Sequence, residues 1–178
     1  EFELNKVHKP GAIFDIKKLN WINSQYIKIT ETQKFKELIG MKEMPDKAIP
    51  LIIERLEKLS DVKNFDYFWK EPSFAKASEG KPEYTSIELL KWKKSTLKKS
   101  LGTLAEVKKI LEEFDFKNKD KLRKLLDEFS EKVGDRGLVY WPLRVVLTGR
   151  EKSPDPIDIA LILGKQKVIE RIHRALLR

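Results

Sequence analysis

Apolar residues recur every three or four positions along most of this chain. Side chains at that spacing share one face of an α-helix. The clearest case is a predicted helix that begins at Asp46 and carries Ile49, Ile52, Ile53, Leu56 and Leu59. The strict alternation of apolar and polar residues that is typical of strands is nowhere sustained. The pattern therefore predicts an all-α protein with almost no sheet.

Capping and turn residues divide the first half of the chain. Asp15 is a candidate N-cap for a helix in which Trp21 and Tyr26 have the spacing of core residues. After the helix from Asp46, residues 70–86 contain prolines, a glycine and small polar residues, and this composition predicts an exposed loop.

Three further helices are predicted in the middle of the chain. Ser86 is a candidate cap for a helix that runs to Leu97, and a second helix ends at Phe114. Asn118 is the candidate cap of a third helix, which runs to Val133. A lysine-rich face on the first of these helices is either a solvated surface or a phosphate contact, and it comprises Lys91, Lys93, Lys94, Lys98 and Lys99.

Residues 140–172 are the most informative stretch, because they predict three helices separated by a prolyl turn and a glycine. Arg144 directly precedes the apolar run Val145-Val146-Leu147, so a permanent cation is held next to buried surface. Ser153-Pro154-Asp155-Pro156 interrupts the helical pattern, and Gly164 ends the short helix that follows. This arrangement suits a bound anion, although a plain helical hairpin with Arg144 as a surface charge explains the spacing equally well.

Composition and charge restrict the function. The 178 residues carry a net charge of +9, which favours an anionic partner. Cysteine is absent, which excludes disulfides and thiolate metal sites, and no apolar run is long enough to span a membrane. His8 and His173 are far apart, and neither a Gly-rich phosphate loop nor a metal-ligand spacing is present. No catalytic residues, metal or cofactor are therefore predicted in this chain.

Two motifs resemble the bacterial glutamyl-tRNA synthetases, which are class I aminoacyl-tRNA synthetases. The first is similar to the end of that family and comprises Leu143-Arg144-Val145-Val146-Leu147-Thr148-Gly149, Ser153-Pro154 and Leu163-Gly164-Lys165. The second is similar to the stretch after the catalytic domain and comprises Phe14-Asp15, Lys18-Leu19, Trp21, Asn23 and Tyr26-Ile27. A looser match joins them through residues 49–59 and 68–72, so the resemblance covers nearly the whole chain.

The resemblance implies two small helical bundles in tandem that recognise a tRNA anticodon stem-loop. Residues 1–30 would be a remnant of the stem-contact region with a linker helix, and residues 31–135 and 136–178 two anticodon-binding subdomains. The class I signature motifs for ATP are missing, so we expect a non-catalytic part of a glutamate–tRNA ligase, with ATP bound in a preceding domain. The first residues lack an initiator methionine, which also predicts a piece of a longer protein. A cytoplasmic monomer is expected.

The same resemblance assigns roles to five residues. Arg144 matches an arginine that contacts an anticodon base, and Arg55 falls near a second base-reading arginine. Lys47 is a candidate phosphate contact, and Ser153 and Pro154 match the turn that approaches the anticodon. Many relatives have glycine after that proline, where this chain has Asp155. Two other functions stay open: a generic basic RNA- or DNA-binding helical module, and a protein-interaction domain.

Overall fold

Helices supply nearly all the regular structure of this chain. The computed structural model describes residues 14–72, 74–75 and 85–177. Its α-helices are α1 (Ile16–Lys28), α2 (Thr32–Ile39), α3 (Ile49–Ile53), α4 (Leu97–Glu113), α5 (Lys119–Val133), α6 (Arg136–Thr148), α7 (Pro156–Leu163) and α8 (Lys165–Leu176). Within the described ranges, 3-10 helices span Asp46–Ala48, Leu59–Phe68 and Ile87–Leu90, and β1 (Phe74–Ala75) pairs in parallel with β2 (Thr85–Ser86). The predicted all-α fold is confirmed.

Helix α6 lies at the centre of the C-terminal half, where it contacts α4, α5, α7 and α8. Its apolar run is completely buried, since Val145, Val146 and Leu147 are each 0% exposed. Burying a side chain of this size stabilises a fold by about 1.5–3 kcal/mol. The core of this half is therefore built around the run that follows Arg144.

The predicted stop signals of residues 140–172 are confirmed. Asp155 caps α7 by accepting a hydrogen bond from the backbone N–H of Ile157 at 2.9 Å, and Pro156 is the first residue of that helix. Gly164 separates α7 from α8 with a φ of +80° and a ψ of 161°, a conformation that only glycine adopts readily. These signals fix where α7 begins and ends and where α8 begins.

The predicted helix from Ser86 to Leu97 is wrong. The chain forms a 3-10 helix at Ile87–Leu90 and then turns, and α4 begins at Leu97 with Thr96 as its N-cap. The turn closes because the backbone N–H of Trp92 donates to the Ser100 hydroxyl at 3.0 Å. Helix α4 then continues without a break to Glu113.

The predicted long helix from Asp46 to Leu59 is also wrong, because it is broken into short pieces. Pro50 lies in the first turn of α3, where its missing N–H costs nothing, but a helix passing through it would lose a hydrogen bond. The apolar spacing still reports burial correctly, since Ile49, Ile52 and Leu56 are at most 1% exposed.

Trp21 and Tyr26 were expected in the core, and that prediction is wrong. They are 64% and 67% exposed on α1, whose only buried residue is Ile27. The helix is held to the chain after α3 mainly by polar contacts: Asn23 Nδ2 donates to the Glu57 carbonyl at 2.5 Å. Helical spacing predicts an apolar face, but it does not say what covers that face.

The predicted boundary between residues 135 and 136 lies between α5 and α6, which pack against each other and both contact α7. The division into subdomains stays a prediction. Residues 1–13, 73, 76–84 and 178 lie outside the described residues, and they include much of the predicted loop. Among the helices that are described, none is both long enough and apolar enough to cross a membrane.

Candidate nucleic-acid interface

A groove of about 450 Å³ brings together segments that are far apart in the sequence. It is lined by Arg55, Asn64, Phe65, Tyr67, Arg150, Lys152, Ser153 and Pro154. Three of the five predicted site residues, Arg55, Ser153 and Pro154, therefore surround the same opening. Arg55, Arg150 and Lys152 make this opening cationic.

Arg144 reaches the groove through the turn at Ser153 and Pro154. Its Nη1 donates to the Ser153 carbonyl at 2.6 Å, and longer contacts reach the Ser153 hydroxyl at 3.4 Å and the Pro154 carbonyl at 3.5 Å. Within the described residues, Nε and Nη2 donate no hydrogen bond. Arg144 thus holds the turn with one nitrogen and keeps two donor nitrogens uncommitted.

The other two predicted cations differ in position. Arg55 is exposed just after α3. Its Nη1 donates to the Leu51 carbonyl at 2.8 Å, which fixes one end of the guanidinium. Lys47 is exposed in the 3-10 helix Asp46–Ala48 and does not line the groove. The structure therefore groups Arg55 with the turn and leaves Lys47 outside the group.

Tyr67 places a buried hydroxyl at the groove. The residue is 2% exposed, and its hydroxyl has no hydrogen-bond partner among the described residues. Burial raises the pKa of this phenol above its usual range, against the opposing effect of Arg150 and Arg55. The group is therefore an uncharged donor, and leaving such a group unpaired is costly when it is buried.

Arg150 connects the two walls of the groove, which are the turn after α6 and the 3-10 helix Leu59–Phe68. Its Nη2 donates to Asp66 Oδ1 at 2.7 Å and to the Lys63 carbonyl at 3.3 Å. Because Arg150 follows the end of α6 and Asp66 belongs to the 3-10 helix Leu59–Phe68, this pair holds the turn against that helix. The pair is about one-third exposed, so solvent weakens it.

Arg171 on α8 ties the same two walls together from inside the protein. It is 3% exposed, and its guanidinium donates to the Leu147 carbonyl at 2.5 Å and to the Tyr67 carbonyl at 2.8 Å. Glu71 completes the network by accepting from Arg171 Nε at 3.0 Å. Burial raises the pKa of Glu71, but the bond and charge of Arg171 outweigh it, so the pKa lies below its usual range.

Asp155 follows Pro154, where the resemblance led us to expect glycine, and the turn accommodates it. Its φ of −55° and ψ of 125° are open to any residue, so no glycine is required. Arg123 of α5 pairs with its carboxylate. Burial raises the pKa of Asp155, but the Arg123 hydrogen bond and the Ile157 N–H bring it below its usual range.

Five residues that line the groove were not predicted, namely Asn64, Phe65, Tyr67, Arg150 and Lys152. Arg150 follows Gly149 directly and Lys152 precedes Ser153, so an extension of the matched motif by three residues would have included both. Tyr67 lies within an aromatic cluster that is typical of a core, and no sequence pattern reveals its unpaired hydroxyl. No cluster of three or more His, Asp or Glu that could hold a metal ion occurs in the described ranges.

Such a site can bind, through its cationic side chains, a ligand rich in anionic or hydrogen-bond-accepting groups. A cationic groove on an all-helical domain suits a polyanionic partner such as RNA. Comparison with known families agrees, since the family described as "Anticodon binding domain" matches residues 19–176. The chain belongs to this anticodon-binding domain family.

The similar full-length proteins are glutamate–tRNA ligases. Glutamate–tRNA ligase 2 of Thermoanaerobacter pseudethanolicus is 33% identical over 190 residues, which cover 99% of this chain and 38% of that protein. The ligase of Borreliella burgdorferi is 31% identical, with 98% and 37% covered. The crystal structure of a glutamate tRNA ligase from Elizabethkingia meningosepticum, in complex with its amino acid, has a TM-score of 0.73 at 27% identity, covering 99% of this chain and 35% of the other.

The chain thus spans rather more than a third of the length of these relatives. The resemblance to the anticodon-binding region of glutamyl-tRNA synthetases is confirmed.

Proposed function

We propose that this chain reads the anticodon loop of a tRNA as part of a glutamate–tRNA ligase. The observation that carries the proposal is the convergence of Arg55 with the Ser153-Pro154 turn at one cationic groove in an anticodon-binding domain. The whole enzyme would attach glutamate to its tRNA using ATP. This chain would supply recognition, with no ATP or other cofactor bound here, and it would act in the cytoplasm as a monomer.

Hydrogen bonding rather than stacking would read the bases. Proteins often read single-stranded RNA by stacking splayed bases on exposed aromatic rings. Here the groove aromatics Phe65 and Tyr67 are only 8% and 2% exposed, so neither offers a ring face to a base. The accessible polar groups are guanidinium donors, a serine hydroxyl and backbone atoms of the turn. These groups suit the edges of unstacked bases.

Arg55 and Arg144 would have different tasks. Arg55 is exposed and presents its guanidinium at the opening, so it suits a direct base contact. Arg144 would position the turn with Nη1 and use Nε or Nη2 toward the RNA. Lys47, outside the groove, would contact a phosphate only. Arginine suits the first two tasks because its planar fork presents paired donors, which a lysine ammonium cannot do.

The test compares variants on two hairpins: the anticodon stem-loop of a glutamate tRNA and the same hairpin with a changed anticodon. Arg55→Ala is expected to weaken cognate binding by about 1–3 kcal/mol, the range for a good bidentate base contact, and to abolish the preference between hairpins. Its melting temperature should not change, because the side chain is exposed. Arg55→Lys should not restore the preference. Lys47→Ala is the control, because a lost phosphate contact weakens both hairpins equally.

Arg144→Ala should show a mixed result. Loss of the bond to the Ser153 carbonyl should lower the melting temperature, and the loosened turn should also reduce selectivity. Unchanged selectivity with a lower melting temperature would make Arg144 a purely structural residue. If the unaltered protein bound both hairpins with equal affinity, it would not read the anticodon, and a generic basic RNA-binding module would be the better description. A defined complex with another protein, formed without RNA, would favour an interaction domain.

A further inference from the structure

A dense cluster of lysines lies outside the groove and has no assigned role. It comprises Lys91, Lys93, Lys94, Lys98 and Lys99, all exposed. The bond from the Trp92 N–H to the Ser100 hydroxyl folds the turn back onto the first turn of α4, which brings the two halves of this lysine cluster together. Within the described residues, none of the five forms an ion pair. Farther along the same helix, Lys108 pairs with Glu112 at 2.6 Å and Lys109 with Glu106 at 2.8 Å.

The stability of the protein does not account for this cluster. Lys98 and Lys99 occupy the first turn of α4, which contains no acidic residue. Cations at a helix N-terminus oppose the helix dipole, and neighbouring like charges repel each other. Asp135, whose pKa also responds to Lys94, accepts hydrogen bonds from the Trp92 indole at 2.9 Å and the Gly137 N–H at 2.8 Å. Asp135 offsets part of the charge at Lys94, and the cluster as a whole keeps a net positive charge.

Trp92 fixes where the cluster lies relative to the groove. Its ring packs on Trp141 with centroids 5.8 Å apart, and it covers Gly137 so closely that a Cβ there would meet it at 2.2 Å. Gly137, Trp141 and Arg144 recur at helical spacing and so share one side of α6. Gly137 and Arg144 are separated by seven residues, which is about 10 Å along a helix axis. The lysine cluster and the turn held by Arg144 thus lie on the same side of α6. The distance between them corresponds to the length of a few base pairs in a duplex.

We propose that the lysine cluster is a second RNA contact, which binds the phosphate backbone of the stem next to the loop held in the groove. This inference rests on the proposed function and extends it from the loop to the stem. Lysine suits the task because its ammonium is a point charge on a flexible side chain and needs no particular base. Such contacts add affinity and orientation but no sequence preference. The groove would then select the anticodon, and the lysine cluster would bind the RNA stem that carries the anticodon loop.

The experiment compares two double variants of the whole chain. Lys93→Gln with Lys94→Gln neutralises part of the cluster. The control, Lys121→Gln with Lys124→Gln, removes the same charge from exposed positions on α5. There, acidic side chains surround the lysines, namely Glu113, Asp115 and Glu128.

Binding to the cognate hairpin is measured as a function of salt. For two lost duplex phosphate contacts, the slope of log affinity against log salt should fall by about 1.8 in the cluster variant. Its preference for the cognate over the changed anticodon should not move. It should bind a single-stranded oligonucleotide of the loop alone as the unaltered protein does. The control variant should keep the original slope.

Two results would overturn the stem contact. One is the same salt slope for the cluster and control variants. The other is an equal loss of affinity for the hairpin and for the stemless oligonucleotide, which would place the lysines at the loop. Failure of the proposed function has a different signature, because the unaltered protein would then bind both anticodons equally. The salt slopes of the two variants would still decide the stem contact in that case.

Discussion

Replacing Arg171 with alanine is expected to lower the free energy of unfolding by about 3–5 kcal/mol, because truncation leaves buried hydrogen-bond acceptors without a donor. The side chain is 3% exposed and touches three separate segments: the end of α6, the 3-10 helix Leu59–Phe68 and the chain that follows it. Truncation would leave the carbonyls of Leu147 and Tyr67 without their donor.

The magnitude follows from those two acceptors and from Glu71. The Leu147 carbonyl is among the last four of α6, which have no partner within a helix, so nothing else in α6 satisfies it. Each buried acceptor left unpaired costs about 1–3 kcal/mol. Glu71 adds less, because its side chain is 40% exposed and water can replace the arginine. Two buried acceptors therefore account for most of the expected loss.

Chemical and thermal unfolding with matched variants would measure the effect. For a chain of this size the loss corresponds to a fall of about 6–20 °C in melting temperature. Arg174→Ala is the control: it lies one turn farther along α8, also faces Glu71 at 3.7 Å, and is 46% exposed, so it should cost less than about 1 kcal/mol. Arg171→Lys should fall between the two, because one ammonium cannot reach all the acceptors. Equal losses for the Arg171 and Arg174 alanine variants would refute this reasoning.

Two further predictions concern glycine and pH. Gly137→Ala should destabilise the protein by about 1–3 kcal/mol as an overpacking change, because Trp92 fills the space of the new methyl. Gly102→Ala in the exposed part of α4 should instead stabilise it by up to about 1 kcal/mol, since nothing lies within 4 Å; urea unfolding of both variants tests the opposite signs. Because Glu71 and Asp155 have lowered pKa values in the folded state, their contribution to stability is complete above about pH 4.3 and is lost as the pH falls through the folded values. A pH series should show that loss, and Glu71→Gln should flatten it.

Helices α7 and α8 could be predicted because local stop signals flank them. Asp155 and Gly164 act on their immediate neighbours, so local chemistry decides where α7 begins and ends. The prediction of a helix from Asp46 to Leu59 failed because it took no account of Pro50, whose missing N–H limits it to a first turn. The prediction that Trp21 and Tyr26 are buried failed for another reason. Their burial depends on what packs against α1, and no local sequence pattern contains that information.

The candidate site also combines features that the sequence predicts with features that depend on packing. The resemblance suggested that Arg55 and the Ser153 turn belong together, whereas spacing alone gives no reason for residues about a hundred positions apart to meet. Arg171 was missed although its signal was present. It falls at helical spacing between Val168 and Ala175, on the buried face of α8, and a cation on such a face needs buried acceptors. Which carbonyls accept from it depends on how α8 packs against α6.

The weak attachment of α1 has a consequence for hydrogen exchange. With Ile27 as its only buried side chain, this helix has little to lose when it opens, whereas opening α6 exposes the centre of the core. Amide protons in α1 should therefore exchange through local opening, at a free energy far below that of global unfolding. Those of Val145 to Leu147 should exchange only when the whole domain unfolds. Because α1 can open alone, its orientation can be set by a contact at its exposed Trp21 and Tyr26.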